Sequence, residues 1–296
     1  PYGSVLAGRY ITGRARGGTL ARSYEALDWK EKRRALVWEF YPDRHANRQK
    51  GSPQVTYHKN GLAPDTLEND PAYWLDRFYD LSGLLADLRM PGREGREHFP
   101  QWWGFFEENN TAYFVTERVE GETLEAYLES RGGSVTWLEA MGLLAPAARA
   151  LECVHREGAV HGGLSPDRII LTRDGGLKLL DPGVVALDDS YLIQTVDDAC
   201  PTRWSPYHMA TVLYTGLALD VYSLASCFYR AVAGEPPEGP KALVEQETLP
   251  VPEGRFPATM EKVLLEVLQF RLEPVLAGEH AQIMDFWRAL ERAACG

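Results

Sequence analysis

The chain has 296 residues, of which 45% are hydrophobic and 25% charged, and its formal net charge at neutral pH is -11. That much apolar material builds a substantial core and excludes a disordered chain. The acidic balance excludes a general nucleic-acid or anionic-membrane surface, which needs clustered lysine and arginine, and no stretch approaches the ~18 apolar residues of a membrane span.

The first ~120 residues read as strands with one helix. Tyr10-Ile11, Tyr24–Ala26 and Ala35–Tyr41 are short β-type runs separated by Gly- and Arg-rich turns. Residues 43–70 are polar and carry Gly51, Pro53, Gly61 and Pro64, the composition of a long loop or a small hairpin. Trp74, Leu75, Phe78, Leu81, Leu85 and Leu88 then recur at helical spacing on one face. Trp103–Phe106 and Ala112–Val115 flank Glu107-Glu108-Asn109-Asn110, the pattern of a hairpin with a polar turn.

After Glu120-Gly121 the pattern turns helical. Thr123–Leu128 is a short helix, and Trp137–His155 a long one with an apolar stripe of Leu138, Met141, Leu144, Leu151 and Val154. Short strands at Ile169–Thr172 and Leu177–Leu180 meet at Asp174-Gly175-Gly176, and helices follow at 219–233, 257–270 and 280–292. The Pro-rich piece from Gly234 to Pro240 is a helix-ending loop. The whole is an α+β arrangement, a strand-rich lobe over residues 1–119 and a helical lobe over 120–296. Cys153, Cys200, Cys227 and Cys295 have no metal or disulfide spacing and are expected as reduced thiols. With no signal peptide, the chain is expected in the cytoplasm. It opens on Pro1 and is expected to be a piece of something longer.

Residues 155–183, HREGAVHGGLSPDRIILTRDGGLKLLDPG, resemble the catalytic core of the protein kinases, with its H-R-D-L-x-x-x-N and D-F-G strings. The nearest likeness is to bacterial serine/threonine kinases with H-R-D-I-S-P-D-N. ALVWEFYP at 35–42 resembles their V-A-I-K-E-Y-F-P, residues 104–128 their hairpin and interlobe hinge, and DVYSLASCFYRAVAGEPP at 220–237 a late helix. The order holds through roughly residues 8–290. The resemblance implies a bilobal kinase-like fold: a small β-rich lobe with one main helix and a larger helical lobe.

The resemblance also says where the chemistry of phosphoryl transfer would sit. The glycine loop falls on Arg16 to Ala21, with Gly18 on a motif glycine but Arg16 and Ala21 in place of the other two. Arg16 is either a phosphate ligand or a solvated turn residue. The phosphate-anchoring lysine falls on Trp38, and its helix glutamate on Leu81, with Asp80 rotated ~100° away. Leu36 stands for the alanine that packs against adenine, and Leu36, Trp38, Thr116 and Ile170 are expected to fill the nucleotide cleft. The catalytic aspartate falls on Gly163 and the metal-binding asparagine on Arg168. Asp181 survives, either as one metal ligand or as a turn residue beside Pro182. The A-P-P-E glutamate falls on Tyr207, and its arginine partner on Ala277. His161 and Asp220 match positions that brace the catalytic loop.

A fold kept with its chemistry removed reads as a pseudokinase: a regulatory module that binds a protein partner, with no cofactor or metal, no nucleic acid and no membrane. Trp204 with its neighbours and the pair Trp102-Trp103 are candidate partner surfaces, with core packing as the alternative for either. Two other readings remain open: a nucleotide or small-molecule sensor without turnover, and an atypical transferase using Asp181 with Asp167 or Arg168.

Overall fold

The computed structural model describes residues 3–17, 21–43, 45–58, 70–92, 95–180, 216–238, 240–243, 245–251, 254–269 and 283–295. Gly18, Asp181, Pro182, Cys200, Trp204, Tyr207 and Ala277 lie outside these residues. The chain divides into two compact units. The first takes Pro1–Gly92 and Pro100–Val119, and the second Arg93–Phe99 and the described chain from Glu120 onward.

In the first unit the period-2 alternation becomes a six-stranded sheet in the order β1-β2-β3-β4-β8-β7. The strands are β1 Val5–Leu6, β2 Tyr10–Arg16, β3 Ala21–Asp28, β4 Arg33–Phe40, β7 Trp102–Glu108 and β8 Thr111–Glu117. Each neighbouring pair is antiparallel. The turn between β7 and β8 is Asn109-Asn110, both left-handed at φ 56° and 58°, as a two-residue hairpin turn demands. The polar stretch after β4 does hold a small hairpin, β5 Ala46–Arg48 with β6 Val55–Tyr57.

Helix α1, Pro71–Leu88, starts at Asp70, whose carboxylate caps the Ala72 amide. Trp74, Phe78, Leu81, Leu85 and Leu88 are buried along it as the spacing predicts, whereas Leu75 is only half-buried. One face of the sheet packs Tyr10, Tyr24, Ala35, Val37, Tyr113 and Val115 into a core. The other face meets α1 through Phe40 and Phe114 against Phe78, at ring separations of 5.6 and 4.9 Å.

The core face also holds a carboxylate. Glu39 is 1% exposed and accepts from the hydroxyls of Tyr24 at 2.6 Å and Tyr113 at 2.5 Å. Arg48 of β5 donates to it with both terminal nitrogens, at 2.5 and 3.2 Å. Burial and the adjacent Glu39 charge push the Tyr24 hydroxyl up to about 12, so it stays a donor at any working pH.

The second unit begins with the 3-10 turn Arg96–His98. Its sheet has the order β11-β10-β9, from β9 Gly121–Thr123, β10 Ile169–Thr172 and β11 Leu177–Leu179. A Cβ at Gly121 would fall 2.2 Å from the Leu171 carbonyl oxygen, so only glycine allows β9 this close to β10. The helices are α2 Leu124–Ser130, α3 Trp137–Arg156, α4 Gly216–Ala233, α5 Pro240–Leu243, α6 Ala258–Leu268 and α7 Ile283–Ala294. Thr123 caps α2 through the Ala126 amide, and Thr136 caps α3 through the Glu139 amide. Helix α3 packs on α4 and α7.

Two expected core residues depart from the stripe: Leu138 is 67% exposed and Met141 is only half-buried. The buried stripe of α3 runs through Ala140, Leu144, Ala147, Leu151 and Val154, and Leu138 sits ~200° around the helix from Ala140. Small alanines, not a second leucine, form the close-packed face. Among the described cysteines Cys153, Cys227 and Cys295 are thiols outside any disulfide, and among the described residues no helix is long and apolar enough to cross a membrane.

The Glu39–Arg48 pair yields a stability prediction. Arg48→Ala strands a buried carboxylate and is expected to cost the first unit about 3–5 kcal/mol. Arg22→Ala, at the more exposed Arg22–Asp43 pair, should cost under ~1 kcal/mol. Urea unfolding followed by tryptophan fluorescence compares the two, and equal losses would contradict the buried-pair account.

Candidate functional site

Strand β4 sets the geometry on the first unit's side. Register puts Leu36 between Glu25 of β3 and Thr116 of β8, and Trp38 between Ser23 and Phe114. Alternation turns Leu36 and Trp38 to the face opposite Val37 and Glu39. The Trp38 indole stacks on Phe114 with centroids 5.7 Å apart and planes 19° apart. Phe114 in turn touches Phe78, and Leu81 lies one turn further along α1, 4% exposed. The position assigned to the lysine thus holds a half-buried indole and the position assigned to its glutamate a buried leucine. Asp80 is exposed.

The Leu36 row carries charge that sequence reading missed. Arg118, just past β8, reaches diagonally across β4 to Glu25 at 3.2 Å, and Arg16 approaches the same carboxylate oxygen at 3.4 Å. Strand parity puts Glu25, Leu36, Thr116 and Arg118 on one face, so this ionic bridge spans the strip where an adenine would need an apolar floor. The Arg16 side chain is 75% exposed, which fits the solvated reading of that residue better than a built ligand site. Ala21 opens β3, opposite Phe40, and Thr116 is buried.

Both tryptophans of β7 are half-buried and make contacts inside the unit. The Trp102 indole N–H donates to Ser82 on α1 at 3.1 Å. That of Trp103 donates to Gln101, and the Arg33 guanidinium lies over its ring at 3.5 Å. Both are packed within the unit.

In the second unit the loop before β10 hangs on one buried carboxylate. Asp220 of α4 accepts from the backbone amides of His161 and Gly162, each at 2.8 Å, and from the His155 ring at 2.8 Å. Gly162 sits at φ 72°, a left-handed conformation that favours glycine. Gly163, which has no side chain to offer, donates its amide to the His161 ring at 3.4 Å. The His161 imidazole is fully buried; burial, with the Arg168 charge adding to it and Asp220 opposing, pushes it down to about 4.

Arg168 ends the 3-10 turn Pro166–Arg168, half-buried. One of its guanidinium nitrogens is buried with no hydrogen-bond partner among the described residues. Asp167 beside it is exposed, and Ile170 is buried in β10 between Thr123 and Lys178. Among the described residues no three His, Cys, Asp or Glu side chains gather as a metal site; Asp181 lies outside them.

Comparison with known proteins agrees with this geometry. A family model described as protein kinase domain matches residues 95–251. The serine/threonine-protein kinase PknA of Mycobacterium tuberculosis is 29% identical over 240 residues, covering 79% of this chain and 49% of the relative. A probable serine/threonine-protein kinase of Clostridium perfringens, CPE1738, is 30% identical over 131 residues, 44% of this chain and 19% of the relative. The chain therefore spans half or less of the length of these relatives. A solved structure titled PpkA-294 apo form aligns with a TM-score of 0.71 and 21% identity, covering 98% of both chains.

The buried imidazole makes the second unit sensitive to acid. Unfolded, His161 titrates near ~6.5; folded, it titrates near about 4. Between those values the unfolded chain binds more protons, so stability falls as pH is lowered through the window. A gap of about 2.5 pH units is worth roughly 3 kcal/mol. Urea unfolding of wild type and His161→Asn at pH 7, 5.5 and 4 should show a shallower acid loss in the variant; parallel curves would contradict the assignment.

Proposed function

The chain belongs to the protein kinase domain family, and from that premise we propose that it is a pseudokinase: a kinase-like domain that does not transfer phosphoryl groups and acts by binding a protein partner. The observation that carries the reading is the stack of Trp38 on Phe114, which in turn touches Phe78, with Leu81 buried one turn further along the same helix. In a working kinase a strand lysine and a helix glutamate hold the nucleotide phosphates from these two positions. A large neutral indole and a buried leucine supply neither charge, and they complement each other as an apolar pair.

The second unit supports the same reading. Gly163 has no group to accept a proton from an acceptor hydroxyl, a role that contributes ~100- to 10,000-fold where a positioned base exists. Arg168 brings a cation to the place where an amide oxygen would hold magnesium. These residues do not fit a magnesium nucleotide. The loop scaffold around Asp220 is meanwhile intact, and an intact scaffold with an emptied site suits recognition.

A second reading, sensing of an anionic ligand without turnover, is favoured by the unpartnered buried nitrogen of Arg168. The two diverge in a thermal-shift panel of ATP, ADP and inorganic phosphate, each with and without magnesium or manganese. A ligand at ~100 times its dissociation constant stabilises by about 2.7 kcal/mol, a shift of roughly 4–5 °C at this size. The partner-binding reading expects no shift with any of them. A metal-independent shift that Arg168→Gln removes would favour the sensor, and a metal-dependent nucleotide shift would contradict the account of the emptied site.

A further inference from the structure

The first unit holds a cavity of about 520 Å³ on the α1-facing side of its sheet, at the Phe40 end of β4, two residues along from Trp38. Its walls are Phe40 at the end of β4, Tyr57 of β6, and Pro71, Ala72 and Leu75 from the first turns of α1. Leu75 belongs to the apolar periodicity of that helix, yet it is the member of the series left half-buried. The cavity is where its side chain goes. At the rim stand Glu107 and Glu108, from the end of β7.

The rim is negative and uncompensated. Glu107 accepts the Tyr79 hydroxyl at 2.5 Å, and Glu108 accepts the backbone amide of Ala7 at 2.7 Å. Among the described residues neither has a cation within ion-pair distance, in contrast to Glu25, Asp28 and Glu39, which all do. Asp76 and Asp80 are exposed on the same helix. Burial and the neighbouring Glu107 and Asp76 charges push the Tyr79 hydroxyl up to about 12, so it remains a donor and holds Glu107 in place.

We infer that this cavity is the docking pocket for a segment of a partner protein that presents one large apolar side chain flanked by lysine or arginine. The volume suits a buried aromatic or aliphatic anchor. The charge rule selects the flanks: two carboxylates without counter-ions on a chain of net charge -11 attract cations and repel acidic segments. This inference deepens the binding-module reading and rests on it for its purpose, while the pocket chemistry stands by itself.

The test pans a phage-displayed random peptide library on the protein, then measures fluorescein-labelled synthetic copies of the enriched sequences by fluorescence anisotropy. Enriched peptides should combine a bulky apolar residue with at least two nearby lysines or arginines. Ala72→Trp fills the cavity from an exposed helix position and should weaken binding at least ~10-fold, with an unchanged melting temperature as control. The double variant Glu107→Gln/Glu108→Gln leaves the walls intact and should flatten the salt dependence of the affinity. Absence of enrichment, enriched peptides without cationic residues, or binding indifferent to both variants overturns the proposal. A dimer of the chain that Ala72→Trp disperses overturns it too, by putting a second copy in the pocket. Peptides that bind regardless of both variants would leave the binding-module reading standing, whereas phosphoryl transfer by the protein would remove that reading and leave the pocket.

Discussion

The contact on which this molecule's character depends is the apolar packing of Trp38 and Phe114 against helix α1. A strand residue and a helix residue that face the same space must agree in polarity. A lysine opposite Leu81 would be a partly desolvated cation without its anion, and a glutamate opposite Trp38 the reverse; either costs far more than replacing both with apolar groups of matching shape. The two substitutions make sense as one change. The Trp38–Phe114 and Phe114–Phe78 ring contacts are worth about 0.5–1.5 kcal/mol each beyond burial, while Leu36 and Trp38 stay half-buried. Reverting Trp38 alone would not recreate an anchor, because the counter-charge on α1 is missing as well.

The second unit separates shape from chemistry in a different manner. Asp220 spends its carboxylate on backbone amides of His161 and Gly162 and on the His155 ring. None of these bonds depends on what side chain follows at position 163, so the loop keeps its course while the group it would carry is absent. A buried carboxylate satisfied by several donors is also a strong local constraint, which accounts for a loop that stays ordered with two consecutive glycines in it. The pocket beside Leu75 lies on the same sheet face as Trp38, two residues further along β4 at Phe40.

Much of the fold was legible because it is encoded locally. The alternation in Arg33–Phe40, the three- and four-residue spacing from Trp74 to Leu88, and the Asn109-Asn110 turn each place an element from its own residues. The motif string around His161 and Asp220 gave the loop and its brace. What stayed hidden was long-range. Glu39 reads as a polar interruption of a strand, and nothing near it says that Arg48 of the next hairpin will enter the core to meet it. The Arg118–Glu25 bridge joins residues far apart in sequence across a third strand. Strand β9 is three residues long and visible only through its partner β10. Leu138 fails for the opposite reason: its identity is apolar, but its angle on α3 faces water. Trp102 and Trp103 each make a hydrogen bond inside their own unit and stay half-buried, contacts that the sequence pattern did not show.

The central claim is most directly examined by incubating the purified protein with γ-labelled ATP, magnesium or manganese, and a mixed set of protein acceptors, beside an Asp181→Asn variant. The account expects no label above background on the chain or on any acceptor, and no difference between the two proteins. Label that accumulates with time and metal, and disappears in Asp181→Asn, would mean that phosphoryl transfer proceeds here by groups other than the ones replaced, and the pseudokinase reading would fall.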